Sequence, residues 1–160
     1  MFDEALATAL TRARRAGTGL ALAYLDIDFF KTINDTYGHG IGDLVLIEFA
    51  KRLKACVRAS DTVARLAGDE FVIIFEQLTD QSELAILGKK IVQEMVVHFD
   101  CSGIGLHVAT SVGLAFSARG DTTAGTLLTA ADTALYQAKS AGRNRYAITS
   151  IGSPAMTEAL

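Results

Sequence analysis

Apolar positions change their spacing repeatedly along the chain, and each change marks an element. Residues 2–15 are rich in Ala and Leu, end in Arg12-Ala13-Arg14-Arg15 and run into Gly17 and Gly19, which predicts a helix and its exit. Leu20 to Ile27 is a short apolar run, predicting a strand buried on both faces. Leu46, Ala50, Leu53 and Val57 recur at helical spacing, so 43–57 reads as an amphipathic helix packed on a sheet. Residues 61–66 and 71–75 are β-rich runs joined by the small pair Ala67-Gly68, a β-hairpin pattern. Leu84, Leu87, Ile91 and Met95 predict a helix over 82–97, followed by a strand over 106–116, a helix over 126–140 and a terminal strand over 146–149. This order predicts an α+β fold with a central mixed sheet flanked by helices. The domain is expected to occupy residues 1–149, with 150–160 a tail or the start of a linker.

Composition narrows the class. A chain of 160 residues, half of them hydrophobic and only one a proline, is a single domain with a real core. A net charge of −3 offers no electrostatic footprint for nucleic acid. Cys56 and Cys101 lack metal or redox spacing and read as reduced, buried thiols. No stretch has the length of a membrane span and no secretory leader opens the chain, so a cytoplasmic domain without membrane contact is expected.

Two acidic clusters carry the candidate chemistry. Asp69 and Glu70 sit at the hairpin tip beside Gly68, where carboxylates and bare backbone could hold a hard cation next to a phosphate; a solvated turn would look the same. Upstream, strand periodicity puts Asp26 and Asp28 on one side while Ile27 faces the core. Helix capping ahead of Phe29-Phe30-Lys31 would account for Asp28 but not for Asp26, because a carboxylate on a buried strand is costly unless paired or bound to metal. Three glycines in 38–42 predict a tight loop, with Asp43 as the N-cap of the next helix, His39 in a loop role and Asn34 closing an Asx turn. Asn34 and Asp43 together also form the donor–acceptor set that reads guanine. On their own, Lys139 and Arg143 read as helix C-terminal cations, and Arg58 and Asp61 as a helix-end cation and a turn residue.

Taken together, Asp26-Ile27-Asp28-Phe29-Phe30-Lys31, the 34–43 segment, Arg65-Leu66-Ala67-Gly68-Asp69-Glu70-Phe71 and the 131–145 segment resemble the GGDEF family of bacterial diguanylate cyclases. The resemblance covers residues 2–149. It implies a five-stranded sheet wrapped by helices, related to the palm of class III nucleotidyl cyclases and polymerases. It also implies condensation of two GTP into cyclic di-GMP and two pyrophosphates with Mg²⁺ or Mn²⁺. By position, Asp26 and Asp69 match the metal ligands, helped by the Ile27 carbonyl. Glu70 matches a residue that binds metal or deprotonates the attacking hydroxyl. Asn34 and Asp43 match the guanine readers. Lys31, Lys139 and Arg143 match the triphosphate cations, Lys31 also stabilising the leaving group. Gly68 lets the backbone approach the nucleotide, and the Phe29 and Phe30 amides open a helical turn toward phosphate. Arg58 and Asp61 match an inhibitory site for the product. One guanine-reading set per domain implies a catalytic homodimer.

Two positions depart from the family pattern. Ala67 stands where the motif has glycine, at a cost on the order of 1 kcal/mol if the backbone there needs φ > 0. The usual lead-in before Met1 is absent, which suggests a piece of a longer protein with a sensor or phosphodiesterase domain. A second reading is a receptor for GTP or cyclic di-GMP without turnover, although such a domain would not need the acidic pair and Lys31 kept here.

Overall fold

The computed structural model describes residues 1–151 and the backbone of 157–159. In chain order the elements are α1 (Phe2–Ala16), β1 (Gly19–Ile27), α2 (Phe30–Tyr37), α3 (His39–Cys56), β2 (Thr62–Ala67), β3 (Glu70–Leu78), α4 (Ser82–Val96), β4 (Phe99–Cys101), β5 (Ile104–Leu106), β6 (Thr110–Ser117), α5 (Ala124–Ser140), β7 (Tyr146–Ser150) and β8 (Thr157–Ala159).

The main sheet has the order β2-β3-β1-β6-β7-β8, and β4-β5 form a separate small hairpin. Its five expected strands are present; β6 and β7 run parallel and the other pairs antiparallel, giving the mixed α+β sheet predicted. The chain beyond 149, expected as a tail, extends β7 to Ser150 and returns as β8 on the sheet edge. The rest of that tail, 152–156 and 160, lies outside the described residues.

Central β1 is covered on both faces, which is why its sequence is nearly all apolar. On one face Ala23, Leu25, Ile27, Phe71 and Phe75 pack with Phe49 and Leu53 of α3 and Leu84 and Ile91 of α4. On the other, Leu20, Leu22, Val72 and Ile74 pack with Leu6 and Leu10 of α1 and Leu127 and Ala131 of α5. Both cysteines are free and buried. Among the described residues no helix is long and apolar enough to cross a membrane.

Three local expectations are corrected. Residues 34–43 do not form a loop: α2 and α3 nearly abut, broken only at Gly38 with φ 90° and ψ 162°. Gly40 and Gly42 therefore lie inside α3, as does Asp43, which is not its N-cap; that position is Gly38. At Gly42 the Asn34 amide takes the room of a side chain: a Cβ there would lie 1.8 Å from Asn34 Oδ1, so a larger residue would have to displace Asn34. The N-cap of α2 is Phe29 without a side-chain cap, so Asp28 does not cap it.

Candidate active site

The hairpin places the acidic pair. β2 and β3 are joined by Gly68 and Asp69, and the Arg65 Nε donates to the Gly68 carbonyl at 2.7 Å to close the turn. Gly68 takes φ 51°, a left-handed conformation that glycine adopts without strain. Ala67 is the last residue of β2 and is not among the positive-φ residues, so the alanine in the motif causes no backbone strain.

β-pairing then sets the chemistry side by side. Asp26 pairs across the sheet with Glu70 on β3 and with Ser111 on β6. Lys139, from the last turn of α5, reaches Asp26 Oδ2 with its Nζ at 2.5 Å. The other carboxylate oxygen, Asp26 Oδ1, is buried without a hydrogen-bond partner. Tyr24, two residues earlier on the same face, donates its hydroxyl to Glu70 Oε1 at 3.1 Å. Burial first, then the negative charge of Glu70, pushes the Tyr24 phenol up to about 12, so it stays a donor at neutral pH.

Burial is the main cause that raises the Asp26 carboxyl above the ordinary carboxylate range, opposed by Lys139 and reinforced by Asp69 and Asp28. Asp69 is raised too, again mainly by burial and then by Glu70, while its own amide, Lys139 and the Ile27 amide pull it down. Asp26, Asp69, Glu70 and Lys139 are thus near enough to influence one another's charge at the hairpin end of β1.

Among the described residues no set of three or more Asp, Glu, His or Cys side chains is arranged as a protein-only metal cage. The donors do fit a hard divalent ion whose shell is completed by phosphate and water, which needs only one or two carboxylates. The unpartnered Asp26 Oδ1 and the raised Asp69 both gain from a cation. The sign follows from the raised pKa values. Ionised Asp26 and Asp69 oppose folding above their folded-state pKa, and the penalty fades as pH falls through it toward 3.8. Millimolar Mg²⁺ is therefore expected to raise the melting temperature of the protein more at about pH 7.5 than at about pH 5. Equal shifts at both pH values in a thermal melt would contradict this.

The phosphate-binding candidates cluster beside the acids. Phe29 adopts φ 56°, is 65% exposed and lies under the Arg143 guanidinium, whose Cζ is 4.9 Å from the ring centroid. Phe30 opens α2, whose first-turn amides have no intrahelical acceptor and no side-chain cap. Lys31 follows on α2, exposed, and makes no hydrogen bond or ion pair among the described residues. Asn34 packs against Gly42 with its Oδ1 buried and unpartnered, while Asp43 is exposed on α3. Asp43 borders a groove of about 550 Å³ between α3 and β2, walled by Leu46, Ile47, Val63 and Phe71. Lys139, expected on the triphosphate, is here the partner of Asp26.

Arg58 and Asp61 stand apart from this cluster. Asp61 Oδ2 accepts from the Arg58 amide at 2.9 Å and Oδ1 from the Glu76 amide at 3.1 Å, while Arg58 donates to the Glu76 carbonyl at 2.5 Å. The pair is thus fastened to β3 about 20 Å along the strand from Glu70. The Asp61 side chain is 2% exposed and that of Arg58 54%, so the arginine is the accessible member.

Sequence reasoning missed Tyr24, the role of Asp28, and Glu76 as the anchor of the Arg58 turn. Tyr24 was within reach, since it precedes Asp26 by two residues on a strand and so shares its face.

The family model "Diguanylate cyclase, GGDEF domain" matches residues 1–145. The bifunctional diguanylate cyclase/cyclic di-GMP phosphodiesterase MucR of Pseudomonas aeruginosa is 40% identical over 146 residues, covering 91% of this chain and 21% of MucR. Diguanylate cyclase A of Treponema denticola is 40% identical over 128 residues, covering 79% of this chain and 34% of that protein. The chain thus spans a fifth to a third of these relatives' length. Among solved structures, the GGDEF domain of DgcB from Caulobacter crescentus, in complex with c-di-GMP, superposes with a TM-score of 0.84 at 33% identity, covering 95% of this chain and 86% of that one.

Proposed function

This chain belongs to the GGDEF family of diguanylate cyclase domains, and from that membership we propose that it condenses two GTP molecules into cyclic di-GMP and two pyrophosphates. The observation that carries the reading is the meeting of Asp26, Asp69, Glu70 and Lys139 beside the Phe29–Arg143 stack. In each of two successive attacks a ribose 3′-oxygen bonds to the α-phosphorus of the other nucleotide, the bond to pyrophosphate breaks, and the hydroxyl proton leaves. Asn34 and Asp43 read the guanine edge, and the groove beside Asp43 offers apolar walls for the base. The amides at the start of α2 with Lys31, Lys139 and Arg143 hold the triphosphate and stabilise the leaving charge. Lys139 offsets the charge of Asp26, and would be available to phosphate where a cation held by Asp26 supplied that charge.

Mg²⁺ or Mn²⁺ would be held by Asp26, Asp69 and the Ile27 carbonyl, and supplies charge neutralisation and a more acidic 3′-hydroxyl. Glu70, held by Tyr24, is positioned to complete that ligand set or to take the proton. Each domain presents one nucleotide, so two copies face each other across a twofold axis for catalysis. The chain spans only 21% of MucR, whose name joins a cyclase to a phosphodiesterase, and this supports a place beside such a domain in a longer protein. Incubation with GTP and Mg²⁺ is expected to yield cyclic di-GMP. GTP binding without product, even under enforced dimerisation, would favour the receptor reading instead.

The exposed Arg58, held over the β3 backbone, supports a product-inhibition site formed with Asp61. Cyclic di-GMP is expected to lower turnover, and Arg58→Ala to raise the inhibition constant by on the order of tenfold, the loss of one charge-assisted contact. An unchanged inhibition curve in that variant would rule the site out.

A further inference from the structure

We propose that Asp28 is a positioning residue for the phosphate-holding Arg143, a role that rests on the triphosphate reading of that arginine. Asp28 is only 6% exposed, just past the end of β1, and caps no helix. Its carboxylate spans two other segments: Oδ1 accepts from Ser111 Oγ on β6 at 2.7 Å, and Oδ2 from the Asn144 amide at 2.9 Å. Asn144 lies in the turn between α5 and β7, where Gly142, Arg143 and Asn144 have φ of 124°, 63° and 51°. Two consecutive non-glycine residues in left-handed conformation are strained and persist only where surroundings hold them.

The Arg143 amide donates to the Ala138 carbonyl at 3.0 Å. Asp28 fixes the Asn144 amide, the Arg145 Nε donates to the Arg143 carbonyl at 3.0 Å, and the Arg145 carbonyl accepts from Val112 at 3.0 Å. The strained turn points the Arg143 guanidinium over Phe29, the residue that follows Asp28 and is itself left-handed at φ 56°. One buried carboxylate therefore ties together the start of α2, with its uncapped amides, and the turn that carries the phosphate cation. Without it the Asn144 amide loses its acceptor, the strained turn is held by fewer contacts, and Arg143 is less firmly placed above Phe29.

The test is a double-mutant cycle on the full chain, read by equilibrium binding of GTP and of guanosine. Asp28→Ala is expected to weaken GTP binding on the order of tenfold, as Arg143→Ala does, and to leave guanosine binding unchanged. The double variant should bind GTP no worse than Arg143→Ala alone. Asp28→Asn, which still accepts from Asn144 and can donate to Ser111, should restore GTP binding. If Asp28→Ala does not fold, Asp28→Ser carries the same comparison. Additive losses, equal loss of guanosine, or unchanged GTP binding would overturn the proposal. Binding is read apart from turnover, so GTP binding without cyclic di-GMP would overturn the cyclase reading and leave this comparison to decide the role of Asp28. A wild-type chain that binds no GTP would overturn both.

Discussion

Asp69→Asn is expected to abolish cyclic di-GMP formation, by at least about 10³-fold in kcat, while the melting temperature of the cation-free protein holds or rises. The two effects have one origin. Burial, and then Glu70, raise the Asp69 carboxyl above the ordinary carboxylate range, so its charge costs the fold some stability. Asparagine keeps the shape and removes the charge, which relieves Asp26 as well, because Asp69 is one of the influences raising it. The same charge is what a divalent ion and a phosphate bound through it require. An amide oxygen carries no net charge, so a weak ligand replaces a strong one where the leaving pyrophosphate needs neutralising. The Mg²⁺-induced rise in melting temperature should shrink with turnover. A variant that keeps activity, or that loses it together with its fold, would remove Asp69 from the chemistry. Such separation of stability from activity is what distinguishes a site residue from a structural one.

The features legible in the sequence were those written in local patterns. The continuous apolar run of β1, the hairpin around Gly68 and the helical spacing of α4 and α5 each follow from a few neighbouring residues. Asp26, Asp69, Glu70, Lys139 and Arg143 were named from sequence, and β1–β3 pairing with α5 packing brings them to one end of the sheet. The errors lie where tertiary contacts override local propensity. Gly40 and Gly42 read as loop residues, yet Gly42 is a contact point in which Asn34 occupies the room a side chain would take. Asp28 read as a cap because it precedes a helical turn, whereas its partners are Ser111 and Asn144, far along the chain. The pairing of Lys139 with Asp26 was equally out of reach, since it depends on where the end of α5 crosses β1.

The height of α5 over the sheet depends on Gly113. The residue lies on β6 opposite Tyr24, and a Cβ built there would sit 2.1 Å from the Leu135 amide nitrogen and 2.2 Å from the Ala131 carbonyl oxygen. Both atoms are helix backbone, so no side-chain rotation can make room and α5 as a whole must lift off the sheet. Gly113→Ala is therefore expected to destabilise the domain by about 3 kcal/mol, the top of the usual range for added core volume. In a domain of this size that corresponds to a fall in melting temperature on the order of 10 °C. Gly125→Ala, on the same helix where nothing lies within 4 Å of the added carbon, should instead raise stability by up to about 1 kcal/mol. Thermal melts of the two variants compare the same helix with and without backbone contact. Because Lys139 rides on α5, a lifted helix also breaks the ion pair with Asp26. GTP binding should then weaken in Gly113→Ala even at temperatures where that variant is still folded. A Gly113→Ala protein that melts and binds like the wild type would mean that α5 shifts freely over the sheet, and that the placement of Lys139 is not set by this contact.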